Sequence, residues 1–322
     1  MEKTNRTKLL IGLAVALFSL ALPFVLEQCF SQYYVYLTVK IIIWSLFAVS
    51  FNLVLGYGGM MSFGHAAFYG TGAYTCALLL ARASWPMPAA LIAAPFAAAI
   101  VGLVIGYFSV RIKGIFYFAV LTLSCSQLVY IVVFKWRSLT LGDDGIQGIP
   151  VPSFISTLET YVYCYFFILI VSSLCIYILF KIVRSPFGLI LRTIRDNPER
   201  ATFIGVRISN YKLIAFAISA FFSGVAGALF VLLETSVSPD ILKWSVSGEV
   251  LLMGLLGGMH VFLGPIIGAA IMVLLNSFVT SYTEYWGLFI GMTFVCIVLF
   301  FPEGVGGVVR AKWLACNQRK TF

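Results

Sequence analysis

The polar side chains that could touch a passing solute are few, and they fall in two glycine-rich stretches. The first is NLVLGYGGMMSFGHAAFYGTGAY, residues 52–74, with Asn52, Ser62 and His65 as its polar groups. The second is EVLLMGLLGGMHVFLGPIIGA, residues 249–269, which opens on Glu249. Amide, hydroxyl, imidazole and carboxylate groups in apolar surroundings can bind and pass a polar molecule, but they do not make a catalytic set. The chain has no G-x-S-x-G, H-E-x-x-H or paired-carboxylate pattern, which disfavours an integral membrane enzyme. It has no G-x-x-x-x-G-K-[ST] loop for ATP. His65 and His260 are far apart in sequence, and neither a metal nor another cofactor is expected. The seven cysteines, Cys29, Cys76, Cys125, Cys164, Cys175, Cys296 and Cys316, form no CxxC pair, and most lie in apolar runs. They read as small buried hydrophobes.

The glycines in these stretches admit two readings. They let helix backbones approach closely, as in ordinary membrane packing. They also let a helix break, as transporters use near the midplane. On the second reading Gly58, Gly59 and Gly64 are break candidates beside Asn52, Ser62 and His65, and Gly257 and Gly258 are break candidates beside Glu249. His65 by itself reads as a satisfied interior residue. Glu249 stands at the outer start of a span, where a carboxylate is either interfacial or, if deeper, functional.

A third stretch is the one long polar interruption in an otherwise mostly apolar chain: RSPFGLILRTIRDNPERATFIGVRISNYK, from Arg184 to Lys212. It carries Arg184, Arg192, Arg195, Arg200, Arg207 and Lys212 against Asp196 and Glu199. Ser185-Pro186 offers a capping hydroxyl followed by a first-turn proline. Asn197-Pro198 repeats the device, with Glu199 where the helix dipole favours an anion. Gly205 stands where a short helix, Pro198–Ile204, would stop in a left-handed cap. On charge alone the stretch is a basic loop that sets topology. The capped short helix adds a docking element for a soluble partner.

The elements that must position these groups are membrane helices. The chain has 322 residues, is 61% hydrophobic and only 10% charged, and has a mean hydropathy of +1.02. A soluble domain of that length needs more charge to cover its surface. The apolar runs are continuous and do not alternate with period two, so the fold is all-α rather than a barrel. We read about ten spans of roughly membrane length. They are Leu9–Leu26, Val35–Leu55, Met61–Leu80, Ala89–Val110, Phe116–Phe134, Tyr161–Val183, Leu213–Leu233, Val246–Leu256, Gly264–Thr280 and Trp286–Phe301. The first reads as an uncleaved span and not a signal peptide. The eighth is short enough to be broken or re-entrant. The whole chain, 1–322, is one transmembrane domain with both termini cytoplasmic, a cytoplasmic loop at 184–212 and an outer loop at 135–158. This parity puts 16 of the 21 basic residues inside: Lys3 to Lys8, Arg111, Lys113, Lys181 to Lys212, and Arg310 to Lys320. That is the expected cytoplasmic excess of lysine and arginine.

These stretches carry a resemblance. NLVLGYGGMMSFGHAAFYGTGAY, KGIFYFAVLTL, the loop TLGDDGIQGIP, RSPFGLILRTIRDNPERATFIGV and EVLLMGLLGGMHVFLGPIIGA follow one another from residue 52 to 269. Together they resemble permease subunits of the branched-chain amino acid ABC importer family, of the M type. The resemblance implies a non-catalytic subunit in the bacterial cytoplasmic (inner) membrane. Its partners would be a second permease, sibling or identical, two ATP-binding cassette ATPases and a periplasmic solute-binding protein. Asn197, Pro198, Glu199, Arg200, Ala201, Phe203, Ile204 and Gly205 would then form the coupling helix that docks into the ATPase. Asp143 and Asp144 in the outer loop would offer carboxylates to the binding protein. The solute would be small and polar, foremost a branched-chain or other amino acid, although the family also serves urea, short amides and aromatic acids. The chain departs from the family's usual pattern at Leu141, where glycine follows the threonine, at His260, where glycine is usual, and at Thr202, where a second alanine is common. The rival reading is an ion- or proton-coupled secondary transporter.

Overall fold

The computed structural model describes residues 31–112, 114–151 and 162–282, with isolated positions at 23, 287, 288, 291, 292 and 295. These residues form α1 (Gln32–Asn52) with a π-helical turn (Leu53–Tyr57), then α2 (His65–Ala81), α3 (Met87–Ser109), α4 (Ile115–Lys135) and α5 (Arg137–Thr140). After them come α6 (Val162–Arg184), α7 (Pro186–Asp196), α8 (Pro198–Phe203), α9 (Ile208–Glu234), α10 (Trp244–Gly257) and α11 (Gly264–Thr280). Short 3₁₀ turns stand at Gly142–Asp144 and Pro239–Leu242. Among the described residues there is no strand, only an isolated antiparallel bridge between Ile146 and Val237.

Among the described residues five helices are long and apolar enough to cross a membrane: α1 with its π turn, α3, α4, α6 and α9. Together with α2, α10 and α11 they occupy the second to ninth predicted spans. The predicted first span, the predicted tenth span and tail (isolated positions aside), and the loop residues 152–158 lie outside the described residues. α10 has 14 residues. At about 1.5 Å per residue it falls short of a hydrocarbon core of about 30 Å. It runs unbroken and folds back on α11, with Gly257 seated against the Gly264 carbonyl.

The core forms where α1, α2, α3 and α9 meet. Gly72 of α2 lies against the backbone of Gly224 in α9, and Gly227 of α9 lies against the Tyr69 carbonyl. A side chain at either glycine would collide with backbone, so these residues set how closely the helices cross. Phe47, Phe51, Phe68, Tyr69 and Phe216 fill the space around that crossing and are almost fully buried. The outer faces of α3, α4 and α6 instead expose Ile92, Phe96, Ile100, Phe116, Leu128, Ile170 and Leu174. Contiguous apolar exposure of this kind marks surfaces made for lipid or for other subunits.

Three local details differ from the sequence reading. The helix break runs over residues 58–64, through the candidates Gly58, Gly59 and Gly64, and takes the first four residues of the third predicted span out of the helix. α1 relaxes into the π turn, Gly59 adopts φ +64°, and α2 starts only at His65. Across the gap the Gly64 N–H donates to Ser62 Oγ at 3.2 Å instead of to a helical carbonyl. α9 begins five residues before the predicted Leu213, at Ile208, because Tyr211 in its first turn stacks on Phe187 of α7 with ring centroids 5.7 Å apart. Ser185 does not cap α7. Its hydroxyl donates back to the Ile182 carbonyl at 2.7 Å, so α7 begins at Pro186 without a side-chain cap.

Candidate functional site

α7 and α8 build the polar end of the bundle. α7 is amphipathic and buries Gly188, Leu191 and Ile194. Its other face is basic, with Arg192 placed over the Tyr57 ring at 4.9 Å. α8 is a separate short helix. Asn197, extended at φ −156°, accepts the Arg200 N–H on its side-chain oxygen at 3.0 Å, and Pro198 occupies the first helical position. The far end is closed as well. The Gly205 N–H donates to the Thr202 carbonyl at 2.9 Å and the Val206 N–H to the Ala201 carbonyl at 3.1 Å, with Gly205 at φ +84°. That pair of bonds is the Schellman stop that a left-handed glycine allows. Ile204 is the capping residue, so the helix ends one residue before the predicted Ile204. Ala201 turns inward and is fully buried, whereas Phe203 is 90% exposed and Ile204 73% exposed. Glu199 and Arg200 are exposed beside them. Two large apolar side chains held in the open by a helix closed at both ends form a surface that wants a partner.

Arg195, on the last turn of α7, ties this element to both glycine-rich stretches. Its Nη1 donates to the Gly56 carbonyl at 2.5 Å and lies 3.3 Å from His260 Nδ1. Its Nε and Nη2 donate to Asp196 Oδ1 at 3.0 and 2.9 Å. The aliphatic stem of Arg195 packs on Gly59, where a Cβ would come within 2.7 Å of Arg195 Cγ. Gly59 is thus the landing place of α7, whereas Gly58 packs on the Val54 carbonyl and Met60, and Gly258, at φ +92°, starts the turn that presents His260 to the same guanidinium.

The predicted polar groups of the first stretch do not gather in one opening. His65 is fully buried. Its Nδ1 lies 3.2 Å from Ser62 Oγ and its Nε2 2.9 Å from Ser219 Oγ, and Ser219 donates to the Ser50 carbonyl at 2.6 Å. Phe51, Phe68 and Phe216 stand edge-on around the ring. With both nitrogens engaged and three aromatic walls, His65 ties α2 to α9. Gly64 packs on Thr122 of α4, 3.2 Å from its carbonyl to a Cβ. Asn52 is buried at the foot of α1, and its side-chain oxygen and nitrogen have no hydrogen-bond partner among the described residues.

Glu249 stands elsewhere. It lines a cavity of about 420 Å³ between α1, α10 and α11, together with Lys40 and Trp44. This cavity lies along the N-terminal half of α1, away from the end that carries Arg195 and α8. The same far end holds the turn with Asp143 and Asp144, both exposed. The Ile146–Val237 bridge pins that turn by paired bonds of 2.9 and 2.8 Å. Nearby, the Asp240 carboxylate, 2.7 Å from Lys243 Nζ, holds that exposed ammonium above its ordinary pKa. Leu141 takes φ +64° at the start of the turn, the conformation that a glycine would adopt freely.

Sequence reasoning missed Arg195 as a hub, His260 as its neighbour and Lys40 as the cation facing the cavity of Glu249. Lys40 carried a signal, since a lysine inside an apolar run is unusual. Arg195 carried none that separates it from the other five basic residues of its stretch.

Comparison with known proteins bears on this geometry. A family profile described as "Branched-chain amino acid transport system / permease component" matches residues 33–298. The high-affinity branched-chain amino acid transport system permease protein LivM of Salmonella typhimurium is 27% identical over 95% of this chain and 76% of its own length. LivM of Escherichia coli is 27% identical over 83% of this chain and 68% of its own. A probable branched-chain amino acid transport permease, LivH of Methanocaldococcus jannaschii, is 25% identical over 54% of this chain and 53% of its own. No solved structure matches. The profile spans most of the chain, including both glycine-rich stretches, the turn at Asp143 and the capped helix between them, and so this chain belongs to the family of branched-chain amino acid transport permeases.

Proposed function

We propose that the chain is the transmembrane permease subunit of an ATP-binding-cassette importer. It moves a small polar solute, foremost a branched-chain or other amino acid, into the cytoplasm by alternating access. In this reading residues 1–322 form one domain of about ten spans in the bacterial inner membrane, with both termini inside. A second permease, sibling or identical, completes the pathway. Two ATPase subunits dock beneath it, and a periplasmic solute-binding protein delivers cargo to the face that carries Asp143 and Asp144. The chain itself is non-catalytic, and ATP hydrolysis belongs to the partner chains.

The observation that carries this reading is α8. It is short, closed at both ends, and exposes Phe203 and Ile204 while burying Ala201. A stroke on those two side chains reaches α9 through the four residues after Phe203 and reaches α7 at once through Asn197. From α7 it passes through Arg195 to the break between α1 and α2 and to the turn between α10 and α11. Closure of the ATPase pair would in this way be converted into a rocking of packed helices.

The deciding experiment reconstitutes the permease pair, ATPases and binding protein in proteoliposomes and follows labelled L-leucine. Uptake should require ATP and vanish when the Walker lysine of the partner ATPase is replaced. Uptake driven by an ion or proton gradient in vesicles without the ATPase would assign the chain to the secondary transporters instead.

A further inference from the structure

Lys40 and Glu249 come from helices far apart in sequence and line the same cavity. Among the described residues the ion pairs are Arg195–Asp196 and Lys243–Asp240, so neither Lys40 nor Glu249 is neutralised by a salt bridge. An ammonium and a carboxylate inside an apolar bundle are each costly without a counter-charge. Here the two opposite charges share an opening without closing on one another. The Lys40 ammonium lies 5.8 Å from the centre of the Tyr36 ring, which holds it against the cavity wall. The rest of the lining is mixed: Trp44 on α1, Met253 on α10, and Met272 and Val273 on α11 give it apolar walls, and Asn276, Ser277 and Thr280 on α11 add neutral polar groups. The Trp44 indole N–H is buried and has no hydrogen-bond acceptor among the described residues. The volume, about 420 Å³, is within the range of small-molecule sites, roughly 300–1,000 Å³.

We infer that this cavity is a subsite for an α-amino acid zwitterion on its way through the permease. Lys40 faces the solute carboxylate, Glu249 faces its ammonium, and the side chain rests on Met253, Met272 and Val273. This rests on the importer reading above and sharpens it. Urea or a neutral amide would leave both protein charges uncompensated. An aromatic or aliphatic acid would satisfy only Lys40. A zwitterion satisfies both. On the proposed topology the cavity opens on the outer side, where a binding protein releases its cargo.

The test has two arms in the assembled complex. In the first, Lys40→Met and Glu249→Gln are each compared with wild type for ATP-driven L-leucine uptake. A drop of at least tenfold in each is expected, and uptake within twofold of wild type in either overturns the subsite. The second arm does not depend on those variants folding. A cysteine is placed at the cavity by Asn276→Cys and labelled with a membrane-impermeant thiol reagent in the permease–ATPase complex without binding protein. Millimolar L-leucine should slow labelling at least fivefold. The carboxylate-only analogue 4-methylpentanoate, the amine-only analogue 3-methylbutylamine, and urea should not. Equal protection by any of these three, or no protection by leucine, overturns the assignment. Failure of the importer reading is distinguishable from both, because there the wild-type complex would itself show no ATP-driven leucine uptake.

Discussion

Gly205→Val is the sharpest perturbation of the proposed coupling element. Gly205 sits at φ +84°, and a Cβ built on it meets nothing within 4 Å. The substitution therefore introduces no clash, and its cost is conformational. An L-residue held in the left-handed region costs about 1–2 kcal/mol, with a β-branched residue at the upper end. Escape from that region breaks the alignment of the Gly205–Thr202 and Val206–Ala201 bonds. Because this end is exposed, water replaces them and little further is lost. A cost of about 1–2 kcal/mol lowers the ratio of closed to open stop by a factor of about 5–30. Solute-stimulated ATP hydrolysis in the reconstituted complex should fall, by up to that factor, with membrane insertion unchanged. Gly205→Asn should keep most of the coupling, because asparagine tolerates the left-handed region, and Gly205→Ala should fall between the two. A correctly inserted Gly205→Val protein with wild-type coupling would refute the mechanical role of α8 and leave the stretch as a topology signal.

Other expectations follow from the same geometry. Arg200→Cys in a cysteine-free background should be labelled from the cytoplasmic side of intact cells and not from the periplasmic side; periplasmic labelling would invert the proposed topology. Arg195→Met removes the bonds to Gly56 and the approach to His260, hydrogen bonds from a charged donor worth about 1.5–3 kcal/mol in total at such a part-exposed site. It should uncouple ATP hydrolysis from uptake while α8 still binds the ATPase, as measured by co-purification. Asp143→Asn combined with Asp144→Asn should weaken uptake at low binding-protein concentration, with the effect fading at high salt, since exposed ion pairs contribute only about 0–1 kcal/mol each. Uptake unchanged across both titrations would leave this turn as a connection only.

The sequence by itself determined what is local. Continuous apolar runs force helices, because lipid offers backbone groups no other partner. The Asn197-Pro198 start and the Gly205 stop fix α8 within one residue, because capping is settled by neighbours two to five positions away. Where a local signal failed, a competing contact had won. Ser185 met the Ile182 carbonyl before it could cap, and Tyr211 found Phe187 and drew α9 toward the basic stretch. Only the tertiary structure decided which polar groups share a place. Arg195 reaches Gly56 across 139 positions and His260 across 65, and His65 meets Ser219 across 154. No periodicity or spacing encodes such meetings. His65 is closed inside the core where α2 and α9 cross closely at Gly72, Gly224 and Gly227, and Glu249 reaches the cavity of Lys40 on a helix that packs against α11 at Gly257, Gly264 and Gly268.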